Sequence, residues 1–330
     1  MESIAQESMK KIAVIGGGTG SFVVLSGLKT HDVDLTSIVT MMDSGGSTGR
    51  LRDQLGVLPP GDLRQCLVAL SDAPDLWRKL FLYRFTNGDL EGHNFGNIFI
   101  SALEKVCPDY DTVLETANYV LKTKGRVLPV TYEKATLCVE YENGKVVKGE
   151  SNIDENKTEH AHIKNAYLEP KIKTNKHVIE YITNADLVVI GPGDLYTSII
   201  PVLLVDGVKE ALKNTQAQIV YIMNLMTKSG QTSSYTAKQF LADISRYIGR
   251  EPEYLIMHSG SIPKFILDWY NKHNEIAVKN DLNGSYTGVV VERDLIDRSG
   301  FNQSEADKVT RSILRHDAGK LSKAIMSIAK

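Results

Sequence analysis

Five short segments of this chain combine glycine with carboxylates, hydroxyls or arginines in a spacing that suits a phosphorylated ligand. The first is Gly16-Gly17-Gly18-Thr19-Gly20. Glycines let backbone N–H groups face an anion without Cβ interference, and a following helix N-terminus adds a favourable dipole. A GxGxxG count from Gly16 puts Ser21 where the third glycine belongs, and no GK[ST] follows, so the turn is neither the usual dinucleotide fingerprint nor a Walker loop. A plain strand-to-helix turn would use the same residues. The second segment runs from Asp43 through Gly45, Gly46, Ser47 and Thr48 to Arg50 and Arg52. It offers a carboxylate for Mg²⁺ or a ribose hydroxyl and guanidinium groups for phosphate.

In Pro59-Pro60-Gly61-Asp62-Leu63-Arg64, Asp62 reads either as a helix N-cap or as a second Mg²⁺ ligand beside Asp43. Arg64 reads as a first-turn cation that opposes its helix dipole, a conflict that a bound anion would remove. In Gly92-His93-Asn94-Phe95-Gly96-Asn97, the asparagines Asn94 and Asn97 are caps or ligand contacts, and His93 is expected on an exposed loop. The fifth segment holds Gly191, Gly193, Asp194 and Tyr196, and Asn224 follows a later apolar run. Near the far end, Trp269-Tyr270 could give a base a flat partner, and Arg315, followed by His316, could reach a phosphate or a sugar. Core packing for the aromatics and a solvated helix charge for Arg315 are the competing readings. There is no HExxH pair or obvious nucleophilic cysteine.

These turns need elements to hold them. Ile12 to Ile15, the glycine turn, Phe22 to Leu28 at helical spacing and the run Leu35 to Met42 describe a βαβ unit with buried parallel strands. Leu187 to Ile190 and Ile219 to Met223 repeat the strand pattern ahead of further turns. The expected fold is α/β: a Rossmann-like, mostly parallel sheet with helices on both faces and an inserted β-hairpin segment, with ligands at the strands' carboxyl ends. Residues 1–9 read as a loose tail and 10–330 as one domain, with a β-rich insertion at about 126–176. Within the insertion, Thr136 to Tyr141 and Val146 to Lys148 flank Asn143-Gly144, a hairpin turn. Ser151 to His162 is expected to be a mobile loop, and Glu305 to Ile328 the last helix.

Bulk composition narrows the function classes. Thirty-eight basic against forty acidic residues leave a formal charge of −2, which gives no field for DNA or RNA. The three cysteines, Cys66, Cys107 and Cys138, contain no CxxC pair and read as core residues of a reducing compartment. No apolar run approaches the roughly 20 residues needed to cross a bilayer. A cytoplasmic protein with a small-molecule partner is expected, without nucleic acid or membrane insertion, and a homo-oligomer is compatible with the sequence.

The segments GGGTG at 16–20, DSGGSTGRLR at 43–52, PPGDLR at 59–64, GHNFGN at 92–97, GPGDLYTSIIP at 191–201 and NLMT at 224–227 resemble, in this order, the YvcK-type gluconeogenesis factors. That group is related to CofD, the 2-phospho-L-lactate transferase of coenzyme F420 biosynthesis. The resemblance implies a Rossmann-like fold, binding of UDP-sugars such as UDP-N-acetylglucosamine, and a role in cell shape and growth on gluconeogenic carbon sources. It also suggests Tyr270, and Arg315 within a Leu-Arg-His segment, as ligand contacts. Ser44 stands where many relatives carry a second acid, and Gln231 where many carry glutamate. Losing the carboxylate at 44 removes one Mg²⁺ ligand and weakens the case for phosphoryl-transfer chemistry.

Two readings follow. The first is a nucleotide-sugar-binding regulator without turnover. The second is a transferase that moves a phospho-containing group from a nucleoside diphosphate carrier, with Asp43 and Asp62 holding Mg²⁺. The first is preferred on the strength of the resemblance. An NAD(P) dehydrogenase loses to the missing third glycine.

Overall fold

The structure, a computed structural model, describes residues 9–299 and 312–329. Seven strands form an all-parallel sheet. They are β1 (Lys10–Gly16), β2 (Val33–Val39), β3 (Arg126–Pro129), β7 (Leu187–Ile190), β8 (Gln218–Ile222), β9 (Tyr254–His258) and β10 (Val289–Arg293), in the order β10-β9-β8-β7-β1-β2-β3. β4 (Thr136–Tyr141), β5 (Val146–Lys148) and β6 (Ile163–Glu169) make a separate antiparallel sheet. Ile12–Gly16 and all of β7 are buried without alternation, because helices cover both faces of the central strands.

β1 leads through α1 (Gly18–Leu28) to β2, and β2 leads to β3 through α2 (Gly46–Leu55), α3 (Pro60–Leu70), α4 (Asp75–Leu82), α5 (Phe95–Val106) and α6 (Tyr110–Leu121). The second sheet carries α7 (Glu150–Glu155) between β5 and β6. α8 (Lys176–Thr183) returns the chain to β7. A π-helical turn (Leu195–Ile199), α9 (Ile200–Leu203) and α10 (Val208–Asn214) precede β8, and α11 (Ala237–Ile248) precedes β9. α12 (Lys264–Asn271) precedes β10, and α13 (Ala318–Ile328) packs on α1. Chain direction across the sheet reverses at the β1/β7 boundary, the topological switch point where open α/β sheets bind ligands.

Several expectations shift. β3 pairs with β2 in the main sheet, so the β-rich insertion starts after Pro129 rather than at 126. Its hairpin is as expected, with Gly144 at φ 83° in the turn. Ser151 to Glu155 lie in α7 instead of a loop, and docking of its Ile153 into the core explains why. α13 starts only at Ala318, where Asp317 caps it by accepting from the Lys320 N–H. Arg315 therefore precedes the helix. Residues 1–8 of the tail and 305–311 of the expected last helix lie outside the described residues. Cys66 and Cys138 are buried and all three cysteines are free thiols. Among the described residues no helix is long and apolar enough to cross a membrane.

Candidate functional site

The turns after β1 and β7 meet at the switch point. Gly17 ends β1's turn in extended backbone and serves as N-cap of α1, and Gly18 has φ +60°. A Cβ on Gly20 would lie 1.8 Å from the Pro192 carbonyl oxygen, so only glycine lets α1 start this close to the second turn. The pair floors a cleft of about 580 Å³. The turn after β2 forms the next wall with Asp43, Gly45, Gly46, Ser47 and Thr48, and the start of α3 adds Gly61, Asp62 and Arg64.

Asp62 is the third residue of α3, whose N-cap is Pro59, so the N-cap reading of Asp62 fails. Its Oδ1 instead accepts the Gly18 N–H at 2.8 Å and ties α3 to the first glycine turn. Asp43 Oδ1 accepts the Gly45 N–H at 2.9 Å. Burial raises the Asp43 carboxyl above its ordinary range, although that N–H, the Thr48 hydroxyl and the nearby Arg52 and Arg64 pull the other way. Glu150, the first residue of α7, accepts the Ser44 N–H at 3.2 Å. Burial, reinforced by the Asp43 charge, pushes the Glu150 carboxyl up to about 8. Burial and the nearby Asp43 charge thus both favour the neutral form of the Glu150 carboxyl.

Lys228 bridges Asp154 of α7 and Asp194 of the β7 turn at 2.5 and 2.6 Å. Burial alone would lower its ammonium, but the two carboxylates outweigh that and hold it above its usual value. Asn224 donates to the Gly193 carbonyl at 2.8 Å and pins the same turn from β8. At the other end stand Trp269, Tyr270, His273, Arg315 and His316. The Tyr270 hydroxyl accepts the Leu314 N–H at 3.1 Å and pairs with Ser312 at 3.0 Å, which fixes the segment bearing Arg315. Its ring is only 1 % exposed, leaving half-buried Trp269, stacked on His273 with centroids 4.2 Å apart, as the flat face at the cleft.

Most of the residues singled out by sequence converge here. Gly17, Gly18, Thr19, Gly20, Asp43, Gly45, Gly46, Ser47, Asp62, Arg64, Asn97, Gly193, Asp194, Asn224, Tyr270 and Arg315 all line the cleft. Arg50, Arg52, Asn94, Gly191 and Tyr196 stand behind its wall. Arg50 donates to the Glu91 carbonyl at 2.8 Å and Arg52 pairs with Asp53 at 2.8 Å. Asn94 is the N-cap of α5, accepting the Asn97 N–H. Tyr196 is fully buried and donates to Asp243 at 2.6 Å.

Arg64 is the fifth residue of α3 rather than a first-turn cation, which removes the supposed dipole conflict. It is 5 % exposed and donates to Asn97 Oδ1 at 2.8 Å and to the Phe81 carbonyl at 3.2 Å. His93 is buried, not exposed, and its Nδ1 pairs with Ser47 Oγ at 3.2 Å; burial lowers its pKa, and Arg50 and Arg84 add to that. Glu150, Asp154, Lys228 and His273 were missed by sequence reasoning. The acids sit in a six-residue helix too short for periodicity to reveal, and Lys228, directly after NLMT, shows its part only through its ion pairs with Asp154 and Asp194.

The 2-phospho-L-lactate transferase CofD family profile matches residues 12–296. The gluconeogenesis factor of Bacillus subtilis (strain 168) is 38% identical over 97% of this chain and 98% of its own. That of Halalkalibacterium halodurans is 39% identical, with 96% of each chain covered. A crystal structure of a UPF0052 family member from Bacillus halodurans superposes with a TM-score of 0.88 at 38% identity, covering 96% of this chain and 99% of that one. Fold and sequence agree, and the chain belongs to the CofD family, alongside the gluconeogenesis factors.

Proposed function

We propose that the chain is a cytoplasmic regulator that binds a nucleotide-sugar, a UDP-sugar such as UDP-N-acetylglucosamine, and acts in growth on gluconeogenic carbon sources and in cell shape. The observation that carries this reading is the convergence of three strand-end turns on one cleft with an aromatic face and Arg315 at its end. Backbone N–H groups at the starts of α1 and α2 suit a diphosphate, and Trp269 with His273 suits a base. Seven carboxylates and five cationic side chains line the cleft, so a bare diphosphate would meet net negative charge there. A Mg²⁺ ion held by Asp43 and Asp62 would offset it; Mg²⁺ commonly takes one or two carboxylates and completes its shell with phosphates and water. Among the described residues no cluster of three or more His, Cys, Asp or Glu forms a metal cage, which fits that mode better than a permanent site.

Titration calorimetry with UDP-N-acetylglucosamine, with and without Mg²⁺, and with NADP tests the reading. Binding of the UDP-sugar, tighter with Mg²⁺, is expected; binding of NADP alone would move the chain to the oxidoreductases. A CofD-like transferase remains the second reading, and the raised Glu150 carboxyl at the cleft favours it, since a carboxyl poised near neutrality can serve as acid or base. Turnover of a nucleoside diphosphate carrier with Mg²⁺, followed by phosphorus NMR, separates the two.

A further inference from the structure

Of the eight residues of α4, only Phe81 is buried, packed against Phe95 and Phe99 of α5 with ring centroids 6.1 and 5.1 Å away. An isolated helix this short does not hold itself in water, so that anchor and the Phe81 carbonyl, which accepts from Arg64, keep it in place. Its opposite face is apolar and turned to solvent. Leu76, Leu80 and Tyr83 fall at i, i+4 and i+7 on one stripe, with Leu76 68 % and Tyr83 49 % exposed and Leu80 half-buried. Trp77 and Leu82, both exposed, flank it. Four exposed large apolar side chains within eight positions are the densest such group among the described residues. A grouping of this kind marks a surface that another surface covers.

The charges beside the stripe indicate what covers it. Asp75 and Lys79 stand one turn apart, both exposed, two residues to either side of Trp77. When two copies of the helix lie antiparallel about a twofold axis level with Trp77, every Asp75 faces the partner's Lys79, and the two Leu76 side chains meet beside the axis. A partner segment of a single charge sign would meet a like charge at one of the two positions. The face therefore complements itself better than it complements a uniformly acidic or basic target.

We propose that the outer face of α4 docks on the same face of a second copy of this chain, antiparallel about a twofold axis. A helix of this length offers less than the roughly 800 Å² per partner of a stable interface, so the contact extends over the segment that follows it, where the Tyr83 and Phe85 rings lie 5.1 Å apart. That segment adjoins the cleft. Arg84, between the two rings in sequence, lines it, and the Tyr83 carbonyl accepts from Asn94 Nδ2 at 3.0 Å. Docking thus steadies one wall of the cleft in both copies.

The test is sedimentation velocity of the whole chain through the micromolar range, where the wild type is expected to dimerise. Leu76→Glu, at a position the fold does not bury, is expected to weaken the dimer at least tenfold, about 1.4 kcal/mol, with an unchanged circular dichroism spectrum. Asp75→Lys and Lys79→Glu each set like charges against each other and are expected to do the same. Mixed in equal amounts, these two variants set every acid against a base, and they are expected to form a heterodimer although neither associates with itself. A monomeric wild type overturns the proposal and leaves the face to a different protein. A dimer indifferent to Leu76→Glu places the interface elsewhere and overturns it too. Charge variants that still self-associate, or a mixture that stays monomeric, refute the antiparallel pairing. Both charge variants keep the Phe81 anchor of α4, so the mixing result does not depend on a core substitution. None of these readouts uses a nucleotide, so their outcome is separate from the nucleotide-sugar reading.

Discussion

Replacing Glu150 by glutamine should make the protein's stability less sensitive to pH. The Glu150 carboxyl is pushed from 4.5 to about 8, by burial first and by Asp43 second. Between those two values the folded chain holds a proton that the unfolded chain has released, so wild-type stability is greatest at the acid end of this window and falls as pH rises through it. At about 1.4 kcal/mol per pKa unit the whole shift corresponds to at most about 5 kcal/mol. The cleft admits water, which screens the pair, so a decline of at least about 1 kcal/mol and no more than that ceiling is expected. Glutamine keeps an oxygen to accept the Ser44 N–H and carries no titrating proton, while burial still holds the Asp43 carboxyl up in both proteins. The assay is urea unfolding of both proteins at half-unit steps from pH 4.5 to 8.5. Subtracting the two curves cancels every group that titrates alike in both. A difference that stays flat across the window would refute the raised Glu150 carboxyl.

Three further outcomes are expected. Arg64→Ala should lose about 2–4 kcal/mol in urea unfolding, because it strips Asn97 Oδ1 and the Phe81 carbonyl of a buried partner; a loss under about 0.5 kcal/mol would return Arg64 to the role of a dispensable ligand contact. Gly20→Ala, whose Cβ would lie 1.8 Å from the Pro192 oxygen, should lose about 3 kcal/mol or fail to fold, checked by the same unfolding measurement. Trp269→Ala should weaken UDP-sugar binding tenfold or more, about 1.4 kcal/mol, with little change in melting temperature; unaltered calorimetric affinity would move the base elsewhere.

The main sheet was legible because β1, β2, β7 and β8 are short uninterrupted apolar runs, each followed by a turn whose residues few other structures need. Local pattern was enough there. It misled where a side chain's partner lies far along the chain. Arg64 looked like a ligand-seeking cation only because Asn97 and Phe81, which satisfy it, come 33 and 17 residues later. His93 looked exposed because nothing near it in sequence signals Ser47, 46 residues earlier. α7 is six residues long, and its reason to form is the docking of Ile153 and the bridge to Lys228, neither of which a periodicity can show.

The bridge from Asp154 through Lys228 to Asp194 joins a helix of the inserted sheet to the turn at the switch point. One side of the cleft is therefore made by a cassette spliced between two strands of the main sheet, and the other side by the strand ends themselves. A lineage could exchange the cassette, with its Glu150 and Asp154, while keeping the glycine turns unchanged. Relatives sharing this scaffold can then diverge in what they do at one end of the cleft while inheriting the other intact.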